Sequence, residues 1–396
     1  MERTQPLIAG VVTALVGFAS SFTVVLAGLR AVGATQDQAA SGLLALCVSV
    51  GVVAIILSVR LRMPITIAWS TPGAALLLTT GGDDFAVAVG AFLLCAVAIM
   101  AAGLVPALGR LIAAIPAPIA SAMLAGVLLK LCLAPVNAVV EVPLMAVPVI
   151  IVWLLLYRFA RPWAVPGALV AAVAAIVLSA PDGWAARVRP LPVIEFVAPS
   201  WSPAAAVGLA LPLFLVTMAA QNVPGMAVLS GYGFRPPLGK ALLATGLGSA
   251  GGAFFGAHAI NLAAITAALA ASPEGAKDPG RRWIASTTAG ASMILLGLAA
   301  GLVTTFVALS PPVLVEAVAG LALLGAMSGA LQSAFTAVRG RESAAVTFVV
   351  TFSGVSFFGV GSAFWGLVAG GVVWLLIDYV DRSVYSLDHG TKERNA

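Results

Sequence analysis

The chain has 396 residues, 61% of them hydrophobic and only 9% charged, with a mean hydropathy of +1.09. Soluble globular domains carry about 25% charged residues, so this composition excludes a soluble enzyme and points to a polytopic all-α membrane protein. The net charge of +5 and pI near 9.4 fit basic residues that mark loop topology, and no nucleic-acid partner is expected.

The opening MERTQP runs straight into an apolar stretch with no small-residue cleavage site, so it reads as a first span and not as a removed signal peptide. Fourteen apolar segments follow one another: 7–29, 39–59, 64–80, 85–108, 116–133, 142–158, 164–180, 203–229, 239–251, 254–271, 283–308, 311–336, 342–358 and 360–380. With the N-terminus in the cytoplasm, sixteen of the 20 Lys and Arg fall inside. Arg30, Arg187 and Arg189 fall outside, and Lys130 lies within a span. This asymmetry supports both the count and cytoplasmic N- and C-termini. Cys47, Cys95 and Cys132 sit in apolar runs without CxxC or Cys/His spacing and read as small buried hydrophobes. No metal site or cofactor is expected.

Segment 3 is the least like a plain span. Ile65, Thr66, Ile67 and Trp69 favour extended backbone, after which Ser70-Thr71-Pro72-Gly73 writes a helix start inside the apolar run. Thr71 is expected as the N-cap and Pro72 as the first helical residue. A helix from Thr71 to Thr80 spans about 15 Å, roughly half a bilayer core. Its free N–H groups and positive dipole end form an anion site.

The interruption at 179–202 divides the spans seven and seven. Two internal matches accompany that split. Pro118-x7-Gly126 repeats as Pro312-x7-Gly320, an offset of 194, and AWSTPGAALL at 68–77 aligns with GAHAINLAAI at 256–265, an offset of 188. An odd number of spans per half requires the second half to insert upside down, so segments 3 and 10 would meet from opposite sides.

Segment 10 carries Gly256, Ala257, His258 and Asn261; His258 is the chain's one histidine within a span, His389 being in the charged tail. A membrane histidine faces a cavity or a polar partner and titrates in a range suited to a proton-linked step. A neutral ring bonded to a carbonyl is the plainer alternative, and the mirrored position favours function. Segment 8 carries Gln221 and Asn222 before Pro224-Gly225. Such amides serve a ligand carboxylate or act as interhelical glue. Lys130 and Glu316 read as a structural pair, with Glu141 as competitor. Phe18, Phe22, Trp69, Phe254 and Phe255 are candidates for an aromatic pocket wall, though most membrane aromatics are packing or interface anchors. No Walker A motif is present, so transport would use an ion gradient or run downhill.

The strings TMAAQNVPGMAVL (217–229), GAHAINLAAITAAL (256–269) and ITIAWSTPGAALL (65–77) resemble the benzoate:proton symporter family of bacterial inner membranes, and the resemblance covers essentially the whole chain. It implies a fold related to nucleobase:cation symporters and to sulfate and bicarbonate carriers, with fourteen spans in two inverted seven-span repeats. It further implies a core domain at 1–112 and 203–309 and a gate domain at 113–202 and 310–396, with a homodimer as the analogous assembly. Nucleobase relatives carry acidic residues in segments 8 and 10, where this chain has Gln221, Asn222 and His258. That departure fits an anionic ligand, which a fixed carboxylate would repel.

The expectation is therefore a secondary transporter importing an aromatic carboxylate with a proton. Ser70, Thr71, Pro72, Gly73, Gln221, Asn222, Gly256, Ala257, His258 and Asn261 would form the substrate site, and His258 would couple the proton. A carrier of another anion or of a nucleobase, and an anion channel, are the alternatives; a membrane enzyme is the least supported, since no nucleophile–base pair is visible.

Overall fold

The computed structural model describes residues 4–105, 116–179, 191–263, 265–273, 275–309, 311–355, 357 and 362–379; Arg187, Arg189 and His389 lie outside them. Among the described residues, six helical runs are long and apolar enough to cross a bilayer by length and composition: Gln5–Ala31, Gln36–Leu61, Phe85–Leu104, Ala117–Glu141, Pro203–Gly231 and Pro312–Phe335. The other segments are shorter or broken.

The first half contains α1 (Gln5–Ala19) and α2 (Phe22–Ala31), which together make segment 1 and part at Ser20–Ser21. Then come α3 (Gln36–Leu61), β1 (Ile67–Trp69) with α4 (Thr71–Thr80), and α5 (Phe85–Leu104). Next are α6 (Ala117–Cys132), α7 (Ala134–Glu141), α8 (Pro143–Phe159) and α9 (Ala164–Ser179). The second half opens with α10 (Pro203–Gly231), then α11 (Leu238–Ala253), and β2 (Ile260–Leu262) with α12 (Ile265–Ala271). Segment 11 is split into α13 (Arg282–Gly297) and α14 (Ala300–Leu309). The chain closes with α15 (Pro312–Phe335), α16 (Arg341–Phe352) and α17 (Ser362–Val373).

The duplication is visible in the packing. Helix α3 lies along α13 as α11 lies along α5, α8 pairs with α9 as α16 pairs with α17, and α6 packs on α15 between the halves. The register of the repeat is also set. From Ile67 to Ile260 the offset is 260 − 67 = 193, and from Thr71 to Ile265 it is 265 − 71 = 194. This agrees with the Pro118/Pro312 match and corrects the alignment at 188. In so Ala- and Gly-rich a chain a five-residue slip leaves the apolar pattern almost unchanged. His258 is consequently not the mirror of Ser70.

Small residues let these helices approach closely, as expected where lipid supplies little hydrophobic drive between helices. Gly51 on α3 and Gly290 on α13 face each other backbone to backbone; a Cβ on Gly290 would stand 2.7 Å from the Gly51 carbonyl oxygen. Gly126 and Gly320, the repeated glycines of α6 and α15, meet the Phe348 and Leu131 carbonyls in the same way. Elsewhere the outer surface is apolar, with Val97, Leu154, Leu155 and Leu295 exposed. Lys130, Glu141 and Glu316 are exposed as well, and Glu316 feels Lys130 and Glu141 through space.

Replacing Gly290 by Leu inserts a side chain where backbone stands. Overpacking of this kind costs about 1–3 kcal/mol, so Gly290→Leu should lower the Tm of the detergent-solubilised protein, whereas Leu295→Ala on the exposed face should leave it nearly unchanged.

Candidate functional site

The two broken segments meet as an antiparallel strand pair, with Ile67 opposite Leu262, Ala68 opposite Asn261 and Trp69 opposite Ile260. Two further backbone bonds extend the ladder, Ser70 N–H to the Ala259 carbonyl and Ala263 N–H to the Thr66 carbonyl, each 2.9 Å. Because the strands are antiparallel, α4 and α12 leave the pair in opposite directions. The extended conformation read from Ile65–Trp69 and the helix over Thr71–Thr80 are both present. The cap is shifted by one residue: Ser70, not Thr71, is the N-cap, its Oγ accepting from Gly73 N–H at 3.1 Å. Ser70 Oγ also accepts from Thr217 Oγ1 at 2.8 Å, so this fully buried side chain is held from two sides.

The helix of segment 10 begins later than the sequence implies. Gly256–Ala259 is turn and irregular backbone, Asn261 lies within β2, and the helix starts at Ile265. His258–Asn261 is therefore not a helix N-terminus. Gly256 has φ +88°, a conformation glycine adopts without a Cβ clash, and Gly42 of α3 gives its carbonyl room.

Helix α10 supplies the flanking amides. Its π-helical turns cover Ala206–Ala210 and Met218–Asn222, each ending two residues before a proline, Pro212 or Pro224. Proline lacks an N–H and crowds the preceding turn; the wider turn accommodates both, and such bulges concentrate at functional sites. The two amides then diverge. Asn222 is fully buried, and its Oδ1 accepts from Leu262 N–H at 2.9 Å. Gln221 is half-buried and lines a cavity, and its amide makes no hydrogen bond among the described residues. Asn261, like Asn222, faces backbone: with its amide turned so that both ends are satisfied, its oxygen accepts from Ser70 N–H at 3.0 Å and its nitrogen donates to the Leu262 carbonyl at 2.9 Å. Gly225 allows α10 to sit against Leu262 and Ala263.

The cavity beside the strand pair has a volume of about 80 Å³. Its polar lining comes from Thr13, Ser20, Ser21, Thr66, Thr71, Gln221, Thr266 and Ser286, with Trp69 as an aromatic wall. A larger space of about 480 Å³ shares Ser20, Ser21, Thr71 and Thr266 with it and continues along Pro72 to Tyr157 and Arg161. The two spaces thus meet where α4 and α12 begin. Trp69 is fixed by its Nε1–H, which donates to Ser21 Oγ at 2.9 Å, and by an edge contact with Phe18 at 5.9 Å. Thr66 and Ser286, both in the lining, share a hydrogen bond of 2.9 Å.

The structure brings together Trp69, Thr71, Pro72 and Gln221 from the expected set, with Ser70 and Gly73 directly behind them. Asn222 and Asn261 serve the strand pair. Gly256, Ala257 and His258 lie outside the cavity lining. The His258 ring is fully buried against Phe92, with centroids 6.3 Å apart, and neither ring nitrogen has a hydrogen-bond partner among the described residues. The expected aromatic wall is split. Phe18 and Phe22 stack at 5.1 Å and line a separate apolar space of about 230 Å³. Phe254 stacks on Phe196 at 5.7 Å, and Phe255 meets the same ring edge-on at 6.1 Å, away from both polar spaces. Ser20, Ser21, Thr66, Thr266 and Ser286 were not among the expected residues. The Ser20-Ser21 pair inside an apolar run was the available signal for the break in segment 1.

Two inverted repeats whose half-helices begin at one polar cavity define a membrane-transporter fold. The same fold is seen in the transmembrane domain of the cyanobacterial bicarbonate transporter BicA, which matches 93% of this chain and 97% of its own with a TM-score of 0.58 at 15% identity. The family model described as benzoate membrane transport protein matches residues 2–376. The inner membrane protein YdcO of Escherichia coli K12 is 37% identical over 382 residues, covering 96% of this chain and 97% of that protein. The benzoate membrane transport protein of Acinetobacter baylyi is 31% identical over 377 residues, covering 93% and 94%. The chain belongs to the benzoate membrane transport family and is a membrane transporter, not an enzyme.

Removing the Asn222 amide leaves Leu262 N–H buried without an acceptor, a loss of about 1–3 kcal/mol. Asn222→Ala should lower the Tm in detergent clearly, while Gln221→Ala, which breaks no hydrogen bond among the described residues, should lower it little.

Proposed function

We propose that this protein imports benzoate or a similar aromatic carboxylate together with a proton, by alternating access. The observation that carries the proposal is the cavity at Thr71 and Thr266. It gathers hydroxyls, the Gln221 amide and the start of α4, and no charged residue lines it among the described residues. A carboxylate gains there from N–H groups and the helix dipole without facing a fixed negative charge. Thr71 and Gln221 are assigned as carboxylate donors and Trp69 as a ring contact; Ser70 and Gly73 shape the helix start.

Segments 1–4 and 8–11 are proposed as one moving body and segments 5–7 and 12–14 as the other. The densest packing supports this division, falling between α3 and α13, α5 and α11, and α1 and α13 on one side, and among α6, α15, α16 and α17 on the other. The positive-inside distribution supports placing both termini in the cytoplasm of a bacterial inner membrane. With that orientation, the larger space reaching Arg161 faces inward.

His258 is retained for proton coupling as a positioning residue that does not touch the substrate. A buried imidazole with neither nitrogen hydrogen-bonded among the described residues calls for an explanation. Its neighbour Ala259 holds Ser70 N–H at 2.9 Å, so a change at His258 is transmitted to the start of α4.

Labelled benzoate should accumulate in proteoliposomes under an inward proton gradient, and benzoate should compete better than uracil or sulfate. Absence of gradient-driven uptake, with another solute carried well, would sink the proposal. Hydrogen bonds to charged groups are worth about 1.5–3 kcal/mol and tenfold is about 1.4 kcal/mol. Gln221→Leu and Thr71→Val should therefore each raise the half-saturating benzoate concentration roughly tenfold or more. His258→Gln should abolish gradient-driven accumulation while leaving benzoate exchange intact; retained accumulation removes His258 from the coupling role.

A further inference from the structure

The larger space is lined by α8 as well as by Thr71 and Thr266. Trp153 and Tyr157, four residues apart, share one face of α8, and Arg161 follows after a break in the helix at Ala160, on a short turn that brings it back to Tyr157. The Trp153 and Tyr157 rings stack at 4.8 Å and 25°. The Arg161 guanidinium lies 4.7 Å from the Tyr157 ring centroid and donates through Nη2 to the Tyr157 hydroxyl at 2.7 Å.

Three features of this stripe fit one chemistry. Among the described residues, Arg161 is the only charged one lining the three cavities described above. The Tyr157 hydroxyl accepts from Arg161 and so keeps its own proton to donate. Trp153 is only 9% exposed and its Nε1–H is buried without an acceptor among the described residues, so the ring is held by stacking and packing alone and offers an apolar plate. Thus a cation, a hydroxyl donor and an aromatic surface succeed one another along a space of about 480 Å³, within the range of small-molecule pockets of roughly 300–1,000 Å³.

We propose that Trp153, Tyr157 and Arg161 form a second subsite for an aromatic carboxylate, in which Arg161 and Tyr157 hold the carboxylate and the Trp153–Tyr157 stack receives the ring. It is a waypoint between the Thr71 cavity and the face bearing Arg161. It rests on the aromatic-carboxylate reading of the transport site and extends it to the release path. An exposed Arg acts over distances set by ionic strength, so capture here depends on salt, whereas hydrogen bonding inside the Thr71 cavity depends on it little.

The test uses purified full-length protein and benzoate, with neutral benzamide as the uncharged probe. Binding is measured by titration calorimetry at low and high salt, and transport with benzoate inside or outside proteoliposomes. In the wild type, benzoate binding should weaken as salt rises. Arg161→Gln should reduce benzoate affinity about tenfold and flatten the salt dependence, leaving benzamide binding unchanged. Arg161→Lys should restore the salt dependence. Trp153→Phe should weaken benzoate and benzamide alike, by a few-fold. In vesicles Arg161→Gln should raise the half-saturating concentration on the Arg161 side and spare the other. An Arg161→Gln protein with wild-type benzoate affinity and salt dependence overturns the subsite, even when transport is normal. Arg161-dependent binding without transport upholds the subsite and overturns the transport reading. Neither binding nor transport in the wild type overturns both.

Discussion

Everything at the centre of this protein depends on how two interrupted spans satisfy their backbone. In an apolar layer no water is available to an exposed N–H or C=O, and each unsatisfied group costs several kcal/mol. A span that opens at Ser70 exposes such groups; so does one that opens before Ile265. The chain resolves both by pairing them, Ile67–Trp69 against Ile260–Leu262. Side chains complete what the short ladder leaves over. Asn222 takes Leu262 N–H, Ser249 takes Ile260 N–H, and Ser58 donates to the Ile65 carbonyl. With the extended backbone satisfied in this way, the first residues of α4 and α12 are left to face the cavity.

The division of polar residues follows from that constraint. Those in direct reach of the strand pair are engaged by it: Asn222, Asn261, Ser249 and Ser70. Gln221 and Thr71, each one position removed, face open space, as does Thr266 in the first turn of α12. Residue type alone does not separate the two groups. Gln221 and Asn222 are adjacent amides, yet Asn222 holds the scaffold and Gln221 lines the cavity, because successive residues of a helical turn point in different directions around its axis.

The parts of the fold written in local chemistry were legible in the sequence. Ser70-Thr71-Pro72-Gly73 carries a cap, a proline early in the helix and a small residue, and the half-helix lies where those residues put it. The seven-and-seven division and the Pro/Gly match of segments 5 and 12 revealed the repeat. The break in segment 10 has no such signal. Its extended stretch is Ile260–Leu262 and its helix begins without a proline, so the conspicuous His258 drew the alignment five residues early. The opening at Ser20–Ser21 was equally quiet, since serine is tolerated within membrane helices when its hydroxyl bonds back to the preceding turn, as both do to Gly17. The aromatic wall was divided by tertiary packing. Phe254 and Phe255 meet Phe196 from the long interruption, a contact no periodicity announces.

The π-turn at Met218–Asn222 also sets a limit on how this helix can vary. The turn holds one residue more than an α-helical turn would, so the two ends of α10 are rotated relative to one another compared with a regular helix. A sequence change that let the turn tighten would do more than restore a hydrogen bond. It would swing everything on one side by the angular step of a residue, turning Gln221 away from the cavity or Asn222 away from Leu262. The aim of the cavity amide and the anchorage of the strand are thus geared together through a single surplus residue.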